Sequence, residues 1–183
     1  MLKIIMTLFI ATHNDDEALW GAFTLLRENP VVLIVTDSWI QYNRGETACS
    51  ANARWQETLK AMETLGCPVI RGGIRDDILN EWHLRNLLEK FHGFNTVYAP
   101  AIQGGNNQHD LVGKVCDDLF KEKCKHYTAY TKEETYTKGN IEIKPSEQEL
   151  ALKDKALACY KSQLGNTNKA YFEAVKGKSE WFI

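Results

Sequence analysis

A short apolar segment that ends in a polar cluster constrains the fold of this chain more than any other feature. Residues 4–11 read Ile-Ile-Met-Thr-Leu-Phe-Ile-Ala, and they are followed directly by Thr12-His13-Asn14-Asp15-Asp16. A run this short is typical of a strand that is buried on both faces of a sheet. A helical pattern begins immediately afterwards, at Glu17. Since open α/β sheets bind ligands where strands end and helices begin, we expect the active site here.

Strand-like and helix-like segments alternate along most of the chain. We predict strands over 4–11, 31–36, 69–70, 96–99, 127–130 and 141–143, and helices over 17–27, 46–65, 80–91, 110–123 and 146–163, with a short final element at 171–175. This alternation predicts an α/β fold, a Rossmann-like three-layer sandwich with a mostly parallel sheet and helices on both faces. At 183 residues, we expect one domain spanning 1–183.

Composition and charge exclude several classes of protein. The net charge is −2 without a dense basic patch, so we expect no nucleic-acid partner. The longest apolar run is too short to span a bilayer, and the start of the chain lacks a signal-peptide pattern, so we predict a cytoplasmic protein. The five cysteines include no CxxC pair, which argues against a disulfide framework and a Cys-rich zinc site. The oligomeric state stays open.

Three residues form a candidate metal site at the expected sheet edge. His13 and Asp16 lie three residues apart in the strand–helix turn, and His109 follows another predicted parallel strand and a Gly-rich loop. Two histidines, one carboxylate and a water are a ligand set of catalytic zinc sites. Asp15 would then be placed to act as the general base. The alternative is that Asp15 and Asp16 only cap a helix, with His109 an ordinary loop residue.

Several short motifs, in order along the chain, resemble one enzyme family. The segment Thr12-His13-Asn14-Asp15-Asp16-Glu17 is similar to the Ala-His-Pro-Asp-Asp-Glu signature of the LmbE/PIG-L family of zinc-dependent de-N-acetylases. Later matches, each of them short, are Arg54-Trp55-Gln56-Glu57, Gly104-Gly105 before Asn106-Asn107-Gln108-His109, and Ser162-Gln163. The chain thus resembles a divergent, short member of this family.

The resemblance implies a role for each matching residue. It makes His13, Asp16 and His109 ligands of Zn²⁺, with another divalent metal as the alternative, and Asp15 the catalytic base. It also implies that Arg54 lies near the substrate; the alternative for Arg54 is a surface ion pair with Glu57.

Three further positions complete the candidate site. Asn106 stands where the family has an oxyanion-stabilising histidine, and we predict that it is catalytic through its N–H donor. Tyr160 replaces a late histidine of the family, and we assign it to substrate binding. We assign Trp39 to stacking on a sugar ring, although packing of a large aromatic ring explains it equally well. Gln108 replaces the aspartate that would orient a ligand histidine.

The implied activity is metal-dependent N-deacetylation, hydrolysis of the C–N bond of a linear amide. The expected partner is a small N-acetylated amino sugar, such as N-acetylglucosamine, or a sugar conjugate. Two alternatives remain. One is a catalytically weak or inactive carbohydrate-binding module that retains the metal pocket. The other, a nucleotide-binding Rossmann domain, is disfavoured because the first strand–helix turn lacks GxGxxG and carries two acids.

Overall fold

The computed structural model describes residues 6–38, 49–164 and 169–183. In these residues one seven-stranded sheet is formed by β1 (Thr7–Ala11), β2 (Val31–Thr36), β3 (Val69–Ile74), β4 (Thr96–Pro100), β5 (Cys124–Tyr127), β6 (Ile141–Ile143) and β7 (Glu180–Phe182). The strand order is β3-β2-β1-β4-β5-β7-β6. Strands β1 to β5 pair in parallel, and β7 runs antiparallel to both β5 and β6.

Helices cover both faces of this sheet, which confirms the predicted fold class. They are α1 (Asp16–Trp20), α2 (Ala22–Glu28), α3 (Ala51–Leu65), α4 (Glu81–Leu88), α5 (Asn107–Phe120), α6 (Glu147–Leu157), α7 (Lys161–Leu164) and α8 (Lys169–Val175). None of these described helices combines the length and apolarity that crossing a bilayer requires.

Strand β1 lies at the centre of the core, as its apolar sequence predicts. Leu8 and Ile10 pack into one hydrophobic cluster with residues of α4 and α5, whereas Phe9 and Ala11 pack into the cluster on the opposite face. All four side chains are completely buried. Each large apolar side chain buried in this way contributes about 1.5–3 kcal/mol to folding. The strand is therefore held rigidly, together with the residues that follow it.

The structure corrects two predicted elements near the site. The helix expected over 17–27 is broken at Gly21, where the backbone passes so close to Phe9 that a Cβ would lie 2.2 Å from its ring. The helix expected to begin at residue 110 begins at Asn107, because the Asn106 side chain accepts a hydrogen bond from the backbone N–H of Gln108. His109 therefore lies in the first turn of α5 and not in a loop.

The end of the chain differs more from prediction. The strand expected over 127–130 is formed by Cys124–Tyr127, the helix expected over 146–163 is divided into α6 and α7, and strand β7 was not predicted. Residues 46–48 of the predicted long helix lie outside the described residues. Helix α3 begins at Ala51, after the capping residue Ser50, and ends as predicted at Leu65, where Gly66 caps it in a left-handed conformation.

Candidate metal centre

The sheet topology brings the residues after β1 and after β4 to one crevice. The chain moves from β1 to β2 on one side and returns to place β4 on the other, so the crevice opens at the carboxyl ends of these two strands. His13 and Asp16 follow β1, and His109 follows β4. The Nδ1 atom of His13 lies 3.1 Å from Nε2 of His109, and that nitrogen lies 3.0 Å from Oδ2 of Asp16. The third separation, from His13 Nδ1 to Asp16 Oδ2, is 3.4 Å.

These three separations fit a tetrahedral divalent metal site. Ligand bonds of 2.0–2.1 Å to zinc place neighbouring donors about 3.3 Å apart. Two imidazoles and one carboxylate also form a donor set that suits zinc. Asp16 and His109 are buried, while His13 is partly exposed, so the centre is closed on one side and accessible on the other.

The electrostatics of the centre favour a bound positive charge. Burial lowers the pKa of His13, but the hydrogen bond and charge of Asp16 outweigh it and raise that pKa to about 9. Burial raises the pKa of Asp16, yet the charges and hydrogen bonds of His109 and His13 outweigh it and hold the pKa of this carboxyl well below its usual range. The carboxylate therefore stays ionised, which is the form that binds a metal.

A side-chain amide orients His13. Nε2 of His13 lies 2.6 Å from Oε1 of Gln108, and Nε2 of Gln108 donates to the carbonyl of Asp76 at 2.8 Å. Because the Asp76 carbonyl can only accept, the amide orientation of Gln108 is fixed and its oxygen faces the imidazole. Nε2 of His13 therefore carries a proton, and in the neutral ring, which is the form that binds a metal, the lone pair of Nδ1 faces the other two donors. Gln108 thus orients the candidate ligand His13, a role that a carboxylate usually has in such sites.

Asp15 lies beside the centre in an unusual backbone conformation. Its φ angle is 124°, a region that non-glycine residues rarely occupy. The Asp15 N–H donates to the Glu17 carboxyl at 3.1 Å, and the Asp15 carbonyl accepts from Ala18 and Leu19. These contacts hold the conformation. Burial raises the pKa of Asp15 to about 6, although the charge of Arg54 partly opposes this. A carboxyl that titrates near neutral pH is suited to accept and return a proton.

Arg54 is placed behind Asp15 and not on an open surface. Its guanidinium donates to the Asn14 carbonyl and forms an ion pair of 3.1 Å with Asp15. Glu57, the alternative partner considered from the sequence, accepts two hydrogen bonds from Ser162. The contacts of Arg54 position the predicted base, and its contact with a substrate stays a prediction.

Tyr160 also lies in the hydrophobic core. It is completely buried, and its hydroxyl donates to the Glu17 carboxyl. Burial raises the pKa of Glu17 to about 8, and the Tyr160 hydrogen bond opposes the shift. The structure therefore gives Tyr160 a packing role behind α1, while the assigned substrate contact stays a prediction. Trp39 lies outside the described residues.

The Asn106 side chain is engaged by its own neighbours. Oδ1 accepts from the Gln108 N–H at 2.8 Å, and Nδ2 donates to the Tyr130 hydroxyl at 3.1 Å. The ring of Tyr130 packs against His109, with 5.3 Å between the ring centroids. Sequence reasoning did not single out Tyr130. Its position just after β5, the next parallel strand at the same edge, is the signal that could have found it.

Comparison with solved structures supports the fold directly. No protein-family model matches the sequence, and no curated protein matches it. Among solved structures, the N,N'-diacetylchitobiose deacetylase of Pyrococcus horikoshii has a TM-score of 0.75 at 17% identity, over 97% of this chain and 82% of that one. The zinc-inhibited form of the teicoplanin deacetylase Orf2 has a TM-score of 0.68 at 14% identity, over 97% of both chains.

The same fold also occurs with a different activity. GalB of Pseudomonas putida KT2440, a 4-carboxy-2-hydroxymuconate hydratase, has a TM-score of 0.68 at 12% identity, over 98% of this chain and 95% of that one. At such identities the likeness shows the fold alone. This chain therefore has the α/β fold of deacetylases of the type that its motifs resemble, and its function has to be argued from the residues of the site.

Proposed function

We propose that this chain is a divalent-metal-dependent N-deacetylase that releases acetate from an N-acetylated amino sugar or sugar conjugate. The single observation that carries the proposal is the convergence of His13, Asp16 and His109 within 3.4 Å of one another, with Asp15 beside them. The motif resemblance and the fold shared with two deacetylases support the same reaction. We assign the activity to a single domain spanning residues 1–183.

His13, Asp16 and His109 would hold the metal ion, and zinc is the first candidate. An ion bound there lowers the pKa of a water molecule and polarises the carbonyl oxygen of an acetamide group. The protein's own contribution is the rigid placement of these three donors by β1, α1 and α5. Gln108 fixes the tautomer of His13 that binds a metal, because its amide oxygen keeps the His13 proton on Nε2.

Asp15 is the proposed general base and acid. With a pKa of about 6 it is mostly ionised at neutral pH, and it accepts the proton of the water that attacks the acetyl carbon. The attack forms a C–O bond, and breakdown of the tetrahedral species breaks the C–N bond. Asp15 then returns its proton to the leaving nitrogen, which yields acetate and a free amine. The ion pair with Arg54 holds the carboxylate in place throughout.

Tyr130 is the residue we assign to the negative charge that develops on the carbonyl oxygen. Its hydroxyl oxygen accepts from Asn106 and keeps its own O–H for donation. A positioned donor of this kind contributes about 10²–10³ to the rate of acyl transfer. Asn106 then acts by orienting Tyr130, and the catalytic role first assigned to Asn106 becomes indirect.

The second candidate function is a carbohydrate-binding module that keeps the metal pocket without turnover. One observation favours it: Asn106 cannot carry a positive charge, and both ends of its amide already have partners. The two candidates differ in what happens to a bound sugar. Binding of N-acetylglucosamine without acetate formation during long incubation supports the module and excludes the deacetylase for that ligand.

The proposal is tested by measuring acetate release from a panel of N-acetylated amino sugars, including N,N'-diacetylchitobiose. The protein is first treated with a chelator and then reloaded with Zn²⁺, Co²⁺ or Ni²⁺ in separate samples. We expect activity to require the metal and to return on reloading. Acetate release at an unchanged rate from the chelator-treated protein would exclude the proposed function. If the metal is bound and no sugar of the panel yields acetate, the result favours the binding module.

A further inference from the structure

A second cluster of metal-ligand side chains lies between β5 and α5. Cys124 and His126 are two residues apart on β5, so their side chains point to the same face of the sheet. Helix α5 packs near this face and contributes Asp117. One donor atom from each of these three residues lies within 4.8 Å of the other two. We propose that Asp117, Cys124 and His126 bind a divalent transition-metal ion at a site separate from His13, Asp16 and His109.

The hydrogen bonds of His126 fix which nitrogen faces the cluster. Nδ1 of His126 lies 3.0 Å from the carbonyl oxygen of Pro100, and a carbonyl can only accept. Nδ1 therefore carries a proton, and the neutral ring presents the lone pair of Nε2. That nitrogen lies 2.7 Å from Oδ1 of Asp117, which is also an acceptor. At this separation the two atoms share a proton in a hydrogen bond, and a metal ion that replaces the proton would hold them about 3.3 Å apart.

The third residue of the cluster favours the metal ion. The contact between His126 and the half-exposed Asp117 is complete without a sulfur atom, and such surface pairs contribute only about 0–1 kcal/mol. Cys124 adds a soft donor to the same cluster. Burial raises the pKa of its thiol to about 12, so a bound metal has to displace the thiol proton. The resulting set of thiolate, imidazole and carboxylate suits zinc or cobalt and not magnesium or calcium. The Pro100 carbonyl on the far nitrogen of His126 is the usual orienting partner of a ligand histidine.

The position of the cluster indicates what a bound metal would do. Asp117 lies near the end of α5, eight residues after His109, which corresponds to about 12 Å along a helix. A metal held by Asp117 and by two residues of β5 would link the helix to the strand. It would stabilise the fold around the candidate catalytic centre without taking part in its chemistry. The inference therefore does not depend on the proposed deacetylase activity.

Cobalt provides a direct probe, because only a thiolate ligand gives an intense charge-transfer absorption in the near ultraviolet. The experiment titrates Co²⁺ into the His13→Ala/His109→Ala variant, which removes two donors of the first centre. Circular dichroism confirms that this variant is folded. We expect one equivalent of bound cobalt and a thiolate band. Asp117→Asn should weaken this binding at least tenfold, and it should also reduce the rise in Tm that cobalt produces.

Cysteine variants of the otherwise unaltered chain keep the test decisive if the double variant does not fold. Cys124→Ser should abolish the band, whereas Cys159→Ser, which removes a thiol outside the cluster, should retain it. A band that survives Cys124→Ser would overturn the proposal. The proposal is equally overturned if no band forms in the unaltered chain at saturating cobalt.

Discussion

Nε2 of His13 donates to the side-chain oxygen of Gln108 across 2.6 Å, and this contact decides which nitrogen of His13 faces the candidate metal centre. A carboxylate at position 108 would orient the imidazole in the same way and would also add negative charge. The amide orients it without that charge, so His13 is a less basic ligand than it would be beside a carboxylate. The chain therefore combines a complete set of metal donors with a neutral orienting group.

The first prediction concerns Gln108. Gln108→Leu should weaken metal binding by about 10–100-fold, because His13 loses the partner that fixes its tautomer and ring orientation. Gln108→Glu should retain or tighten binding, since a carboxylate accepts the same hydrogen bond. Competition with a chromophoric chelator measures both affinities. Equal affinity of the unaltered chain and Gln108→Leu would mean that the contact does not orient a ligand.

Arg54 provides a prediction about pH dependence. The charge of Arg54 lowers the pKa of Asp15, so its removal in Arg54→Met should raise that pKa above about 6. The base is active when ionised, and the acid limb of the kcat/KM profile should therefore move to higher pH. Arg54→Lys keeps the charge and should move the limb less. The buried carboxylate also loses its partner in Arg54→Met, which should destabilise the fold by about 3–5 kcal/mol.

The kinetics of these variants distinguish a role of Arg54 in positioning Asp15 from direct binding of the substrate by Arg54. If Arg54 binds the substrate, as the motif resemblance implies, Arg54→Lys should raise KM and leave the pH profile in place. If Arg54 positions Asp15, the pH profile should shift in Arg54→Met, and KM should change little in either variant. Urea unfolding at several pH values shows whether each variant is folded where the kinetics are measured.

Tyr130 and Asn106 should differ in the size of their effects. Tyr130→Phe removes the proposed donor to the carbonyl oxygen and should lower kcat by about 10²–10³ with little change in KM. Asn106→Ser keeps a side-chain oxygen that can cap α5 but loses the N–H that reaches Tyr130, so its effect on kcat should be smaller. Steady-state acetate release measures both. A larger loss in Asn106→Ser than in Tyr130→Phe would return the donor role to Asn106.

A buried ion pair that does not involve the proposed metal ligands provides a test of the fold. Lys153 donates to Glu180 at 2.9 Å and to the Leu19 carbonyl at 2.8 Å, which ties α6 and β7 to α1. Lys153→Met leaves the Glu180 carboxylate buried without its cation and should cost about 3–5 kcal/mol in the free energy of unfolding. Urea unfolding measures the change. The matched control is Lys155→Met, an exposed lysine of the same helix, which should change stability by less than about 0.5 kcal/mol.

The parts of the fold that sequence predicts well depend on local patterns. Strand β1 and the polar residues after it are adjacent in the chain, and parallel strands bring their carboxyl ends to one edge. The meeting of His13, Asp16 and His109 follows from these two facts alone. The break at Gly21 was missed, since it depends on the Phe9 ring packed beneath it, which no helical pattern contains.

The remaining parts of the site depend on contacts between distant residues. The partner of His13 is 95 positions away, at Gln108, and the hydroxyl that donates to Glu17 comes from Tyr160, 143 positions away. The motif resemblance implied that Arg54 lies near a substrate, and the local pattern suggested a surface ion pair with Glu57, whereas folding buries Arg54 against Asp15. Side chains of this kind are recognised only when the tertiary partner is known.

The central claim is that His13, Asp16 and His109 hold a metal ion while Asp15 moves the proton, and Asp15→Asn tests it most directly. The measurement combines metal content with the rate of acetate release in the same sample. The account predicts an unchanged one equivalent of metal and a rate lower by about 10²–10⁴, the usual contribution of a general base. Full activity in Asp15→Asn, or activity lost only because the metal is lost, would contradict it.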